Sequence, residues 1–303
     1  MRSIITSLVV SALALLLYTA DAGAGEKKFE KKFTVSPGGT LSLGTDVGSV
    51  KIIGSSSNEV SIVAEIRGRD RDVREFDVSA EHSGNNVEIV GKLRKGGGWF
   101  WNSIDLDVEF TIKVPHEFAL RLNTSGGNIV VSDLKGTIKG ETSGGNIGVN
   151  SIEGEVDLGT SGGNVHAEKC TGKIHMETSG GDVHVTTITG DVDVSTSGGN
   201  VKVSEVEGKV RAETSGGNVA IKVRGTNKGV HAETSGGNID IFLPRNINAN
   251  LDAATSGGEV QCDMPVTMTG RIDESRVKGT INGGGNIIYA HTSGGDVRIR
   301  AVD

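Results

Sequence analysis

Three side chains have the types and spacing of a metal site. His166 and His184 occupy the same place in successive copies of a repeat, and Glu168 follows His166 by two residues. On strands stacked in register the two imidazoles would project outward about 5 Å apart. With the carboxylate beside them they form the start of a transition-metal site. The alternative is a surface coincidence, because the neighbouring copies offer Gly148 and Lys202 in place of a further ligand. The expectation is no bound metal and no cofactor, with His166, His184 and Glu168 as the candidates should one bind.

A second group is aromatic. Lys92 to Asn102 reads KLRKGGGWFWN and holds both tryptophans of the chain. Trp99, Phe100 and Trp101 are candidate contacts for a glycan, a lipid headgroup or a protein, since tryptophan suits places where an apolar body meets a wet edge. The simpler alternative is a cap folded over the side or end of the molecule.

Acids are frequent but not isolated. Asp157, Asp193 and Asp252 fall in one outward column, and Glu141, Glu177, Glu213 and Glu233 in the next, interleaved with Lys139, His175, Arg211 and His231. That reads as a surface balanced from rung to rung, where opposite charges on neighbouring strands help. A polysaccharide-cleaving solenoid would need its acids gathered in a cleft. There is no HExxH and no CxxC. Gly159 to Gly163 matches G-x-S-x-G in letters only, without the strand-to-helix turn of a nucleophile elbow. No catalytic residue is assigned.

What positions these groups is a repeat. TSGG begins at Thr124, Thr142, Thr160, Thr178, Thr196, Thr214 and Thr234, in five steps of 18 residues and one of 20, with later copies at Thr255 and Thr292. A fixed period of this length marks stacked units. Each copy holds two short runs of alternating apolar residues between glycine corners. The inward columns read Ile129, Ile147, Val165, Val183, Val201, Val219, Ile239, Val260 and, two residues on, Val131, Val149, Ala167, Val185, Val203, Ile221, Ile241, Cys262. The return strand supplies Ile138, Val156, Ile174, Val192, Val210, Val230 and Leu251.

Two architectures suit this pattern: a solenoid of parallel coils, or a meander of antiparallel hairpins. Burial favours the solenoid. Both runs of a repeat are apolar on one face, and no amphipathic helix exists to cover an open sheet. The expected fold is an all-β, single-stranded β-helix with coils of about 18 residues. The motif then serves structure. Thr124, Thr142, Thr160, Thr178, Thr196, Thr214 and Thr234 point inward to bond backbone or one another. Asn128, Asn146, Asn164, Asp182, Asn200, Asn218 and Asn238 stack to satisfy corner backbone groups. Cys170 and Cys262 read as core residues, too many coils apart for a disulfide.

The remaining chain divides around this array. Arg2 precedes an apolar run from Ile4 to Leu17, with A-x-A at 20–22 and 22–24. That is the pattern of a secretory signal peptide over residues 1–22, cleaved after Ala22 or Ala24; an uncleaved anchor is the alternative. Residues 25–118 form irregular coils, continuous with the regular solenoid of 119–303. The run Arg67 to Glu75 reads as a solvated loop. Glycine is 46 of 303 residues and aromatics 4%, so the core is thin and built from Val, Ile, Ala and Thr. A net charge of −7 without a basic stripe argues against nucleic acid. No later segment is apolar enough to cross a bilayer.

The TSGGN-[IV]-x-V unit, VPHEFALRLNTSGG at 114–127, LPRNINANLDAATSGG at 243–258 and INGGGNIIYAHTSGGDVRIR at 281–300 resemble the exported "putative adhesin" β-repeat family. This is a bacterial domain family of unknown function, related to autotransporter-adhesin-like heads. The resemblance covers residues 30–303. It implies a β-helix of the cell envelope and carries over no catalytic residues. The expected role is a noncatalytic, adhesin-like binding or scaffold protein. It would be exported to the periplasm, cell surface or medium, where it meets an envelope glycan or protein. The alternatives are a β-helix enzyme on envelope or extracellular polysaccharide and an accessory protein in envelope-stress signalling. The last coil, with Val297, Ile299 and Ala301, reads as an open edge through which rods associate end to end.

Overall fold

A computed structural model of the chain describes residues 25–94, 105–268 and 273–302. Among these described residues the elements are strands, apart from one short helix, Asp70–Glu75. The strands form two long sheets, of 13 and 14 strands. The protein is a β-solenoid.

One lap explains the others. Val165–Thr171 lies in the first sheet, and Ile174–Thr178 returns in the second. Val183–Thr189 and Val192–Thr196 of the next lap pair with them in parallel and in register. That rules out the meander. Val165, Ala167 and Cys170 from one strand and Ile174, Met176 and Thr178 from the other are all buried. A lap closes its two apolar faces on each other, so no covering layer is needed.

The inward residues of the longer strand are spaced two and then three apart. The reason is a single residue in the left-handed region in each of five laps: Asp133, Ser151, Lys169, Thr187 and Glu205, at φ between 54° and 57°. It acts like a bulge, bending the strand and turning Leu134, Ile152, Cys170, Ile188 and Val206 back into the core. Every one of these laps bends at the same place, so parallel pairing survives. Gly172 then makes the turn into the second sheet at φ 128°, where a Cβ would sit 2.2 Å from the Gly154 carbonyl oxygen.

The TSGGN corner is tied along the rod. The Thr178 hydroxyl donates to the Gly163 carbonyl of the preceding lap at 2.8 Å. Thr142, Thr160, Thr196 and Thr214 repeat that bond at the same distance. Outside them runs a second ladder. The Asn128 side-chain oxygen accepts the Asn146 N–H at 2.8 Å, and Asn146 does the same for Asn164. Each ladder satisfies corner backbone groups that neighbouring strands cannot reach.

At both ends the order of rungs departs from the order of the chain. Ser49–Ser55 pairs with Leu106–Pro115 on one side and with Ile129–Lys135 on the other. The lap formed by Gly39–Thr45 and Ser49–Ser55 is therefore slotted inside one that the chain makes later. Beyond it, Glu59–Gly68 pairs antiparallel with both Leu106–Pro115 and Gly25–Thr34. Lys27 and Lys31 of this outer strand donate across to the Phe76 and Ala80 carbonyls of the other sheet, joining the two sheets at that end. The run read as a solvated loop contains the helix Asp70–Glu75, whose Asp72 is buried and accepts the Asp105 N–H.

The C-terminal end overturns an expectation. Val297–Val302 lies between Ile239–Pro244 and Val260–Cys262, parallel to both. Val297 thus stands between Ile239 and Val260 in the inward column, and Ile299 between Ile241 and Cys262. Over Val297–Ile299 both hydrogen-bonding sides of this last strand are occupied, so the part of the lap that holds Val297 and Ile299 is not the open edge expected, while Arg300–Val302 pairs on one side only. The outer rung is Ala249–Thr255 with Val260–Cys262, and Arg276–Ile281 lies antiparallel against the former.

Candidate functional site

The sheet of shorter strands turns a charged face outward. Its register aligns Lys139, Asp157, His175, Asp193, Arg211 and His231 in one column. The column continues through Tyr289 to Asp252, because the last lap is inserted there. Beside it run Glu141, Gly159, Glu177, Ser195, Glu213, Glu233 and His291.

The two columns interlock. Lys139 meets Asp157 at 3.8 Å, His175 meets Glu177 at 3.0 Å, and Arg211 lies 3.7 Å from Asp193 and 2.5 Å from Glu213. His231 Nε2 lies 3.0 Å from Glu213 and 3.3 Å from Glu233. Asp252 gathers His291, Arg276 and Lys278 at 3.1–3.3 Å. Burial pushes the Asp252 carboxyl up, but the hydrogen bonds from His291 and Lys278 and the nearby cations outweigh it and hold the group below its usual range. Exposed pairs of this kind contribute about 0–1 kcal/mol each; their consequence is a fixed pattern of charge.

Next to these columns the serines of successive TSGG corners, Ser161, Ser179, Ser197, Ser215 and Ser235, line an open groove of ≈ 1200 Å³ together with the glutamates. A hydroxyl recurs at every rung. From Glu141 to Glu213 a carboxylate recurs at every second rung, or roughly every 9.6 Å at strand spacing. Such a surface offers hydrogen bonds in a linear series.

The residues singled out from sequence lie elsewhere. His166 and His184 face each other in register on the sheet of longer strands, with ring centroids 5.3 Å apart. Glu168 lies 3.7 Å from His166 but is engaged by Lys169 at 2.9 Å, a bond that lowers its pKa. Burial, followed by the charges of His166 and Lys202, pushes the His184 pKa down. The three residues are together, and cations flank them on both sides. Trp99, Phe100 and Trp101 lie outside the described residues. Cys170 and Cys262 are free, and burial raises both thiol pKa values.

Sequence reasoning missed the grouping of Glu213, His231 and Glu233, whose ligand atoms all lie within 4.8 Å of one another. It read them as balanced surface charge. Aligning the residues one and three places before each repeat threonine shows the two glutamates side by side and the histidine diagonal to Glu213. Among the described residues no helix is long and apolar enough to cross a membrane.

A family model described as Toastrack DUF4097 matches residues 40–300. No curated protein matches. Similar solved structures include a putative cell adhesion protein from Clostridium sporogenes ATCC 15579, 14% identical over 91% of this chain and 100% of that one, with a TM-score of 0.24. A putative adhesin from Bacteroides fragilis NCTC 9343 is 14% identical over 91% and 97%, with a TM-score of 0.42. A putative lipid binding protein from Parabacteroides distasonis ATCC 8503 is 12% identical over 91% and 97%, with a TM-score of 0.41. Likenesses this distant carry no argument about what this chain binds.

Proposed function

The chain belongs to the Toastrack DUF4097 family, and from that premise we propose a noncatalytic, adhesin-like binding or scaffold protein of the bacterial envelope. Residues 1–22 act as a signal peptide and deliver the mature chain to the periplasm, cell surface or medium. There the irregular coils of 25–118 and the regular TSGGN coils of 119–303 form one rod, akin to an autotransporter-adhesin head. Its partner is an extended, hydroxyl-rich polymer, an envelope glycan in the first instance, laid along the sheet of shorter strands.

One observation carries this reading: the serine-lined groove, with its hydroxyl at every rung and its spaced carboxylates. A polymer with a regular repeat can meet such a surface in the same way at successive positions, so weak contacts add along its length. Trp99, Phe100 and Trp101 are proposed as a further contact for that partner.

The test is to pass the purified protein over a panel of immobilised envelope polysaccharides while assaying released reducing ends. Retention without release supports a binding protein. Release of product favours the enzyme, and failure to be retained by any polysaccharide or envelope fraction removes the proposal.

A further inference from the structure

Along the second outward column of the shorter-strand sheet, carboxylates alternate with small residues: Glu141, Gly159, Glu177, Ser195, Glu213. The alternation breaks once. Glu233 follows Glu213 directly, and the two face each other in register on adjacent parallel strands. Like charges directly opposite destabilise a sheet, so this pair needs a cation. His231, two residues before Glu233, turns its Nε2 between them, 3.0 Å from Glu213 and 3.3 Å from Glu233. Tyr289 of the inserted last lap holds that imidazole by stacking on it at 4.6 Å and 9°.

We propose that Glu213, His231 and Glu233 bind a divalent transition metal ion, of which Zn²⁺ is the type. Zinc binds imidazole nitrogen and carboxylate oxygen at about 2.0–2.2 Å, which places neighbouring ligands of a tetrahedral site about 3.3–3.5 Å apart. Two of the three ligand pairs already lie close to that separation, and all three ligand atoms lie within 4.8 Å of one another. One nitrogen and two oxygens leave a fourth position for water or for a donor from the polymer. The imidazole selects against Ca²⁺ and Mg²⁺, which take oxygen ligands. Arg211 also contacts Glu213, so the metal shares that carboxylate with a guanidinium and binds less tightly than in a closed structural site. The strands that carry the ligands are fixed by the core beneath them. Val230, Ala232 and Thr234 alternate with His231 and Glu233 and are buried. The site therefore stands whether or not the groove binds a glycan.

The test is a titration of the purified protein with Co²⁺ followed by visible absorption, then displacement by Zn²⁺. The expected result is saturable absorption bands at one equivalent, abolished in His231→Ala and weakened about tenfold or more in Glu233→Gln. The bands remain in His166→Ala. Glu233 is exposed on the surface, so Glu233→Gln keeps the fold and makes the test independent of any instability in His231→Ala. Absence of bands in the unmodified protein overturns the proposal. So do bands that persist unchanged in both His231→Ala and Glu233→Gln, and bands lost only in His166→Ala.

Discussion

The Tyr289 ring lies face to face on the His231 ring, with centroids 4.6 Å apart and planes 9° from parallel. The chain makes another complete lap between these residues before returning to place them together. On its other side Tyr289 stacks on His291 at 3.9 Å, and His291 reaches Asp252 at 3.3 Å. The inserted last lap is thus the piece that joins the histidine of one rung to the aspartate of another.

An inserted lap has interior protection. The amides of 297–299 are expected to exchange with deuterium as slowly as those of Val201–Glu207, because both stretches are paired on both sides. Hydrogen exchange followed by peptide mass spectrometry reads this directly. Fast exchange over 297–299 would mean that the C-terminal strand is a free edge.

The threonine ladder can be tested at one rung. Thr178→Val removes the bond to the Gly163 carbonyl and the acceptor for the Gly181 N–H. Leaving buried backbone groups without partners costs about 1–3 kcal/mol. The urea midpoint is expected to fall in Thr178→Val and to be largely restored in Thr178→Ser. Equal midpoints for all three proteins would deny the hydroxyl any structural role.

The two glycines of one corner differ. A Cβ on Gly163 would lie 2.1 Å from the Gly145 carbonyl oxygen, whereas on Gly162 its nearest neighbour is at 3.8 Å. Gly163→Ala therefore forces neighbouring laps apart and is expected to cost about 3 kcal/mol or more, in the range of severe overpacking. Gly162→Ala is expected to change stability by less than about 0.5 kcal/mol. Thermal melts of the two variants separate the outcomes, and equal losses would contradict the close approach of the laps.

How far the sequence reveals this molecule depends on where in the rod one looks. Between Ile129 and Val219 the strict period aligns like with like, and the columns read from sequence are the columns of the structure. Cys170 could be placed beside Ile152 and Ile188 because every lap repeats the same bend. The neighbours of Val260 could not be found in this way. Val297 separates it from Ile239, and the hydrophobic pattern of a lap says nothing about which other lap it packs against. The stack of Tyr289 on His231 was hidden for that reason. The helix Asp70–Glu75 was hidden for another: its six residues are too few to show a helical period.

Asp252 ties stability to pH. Burial opposes its ionisation, but His291, Lys278 and Arg276 hold its carboxyl below the unfolded value near 3.9. A lowered pKa contributes stability that is present above the unfolded value and is lost as the pH falls through the folded one. Asp252→Asn is expected to destabilise by about 2 kcal/mol at pH 7 through its charge-assisted bonds. The gap to the unmodified protein should close as the pH is taken below about 4. A gap that is constant from pH 7 to pH 3 would show that the charge of Asp252 is not involved.

The central claim is that the shorter-strand face is the binding surface. It is tested most directly by titrating the retained polysaccharide against variants of the two faces. Glu177→Lys and Arg211→Glu alter the groove side, and Lys202→Glu alters the opposite sheet. The account predicts affinity about tenfold or more weaker in the first two variants and unchanged in the third. Unchanged affinity in both groove variants, or loss only in Lys202→Glu, would contradict it.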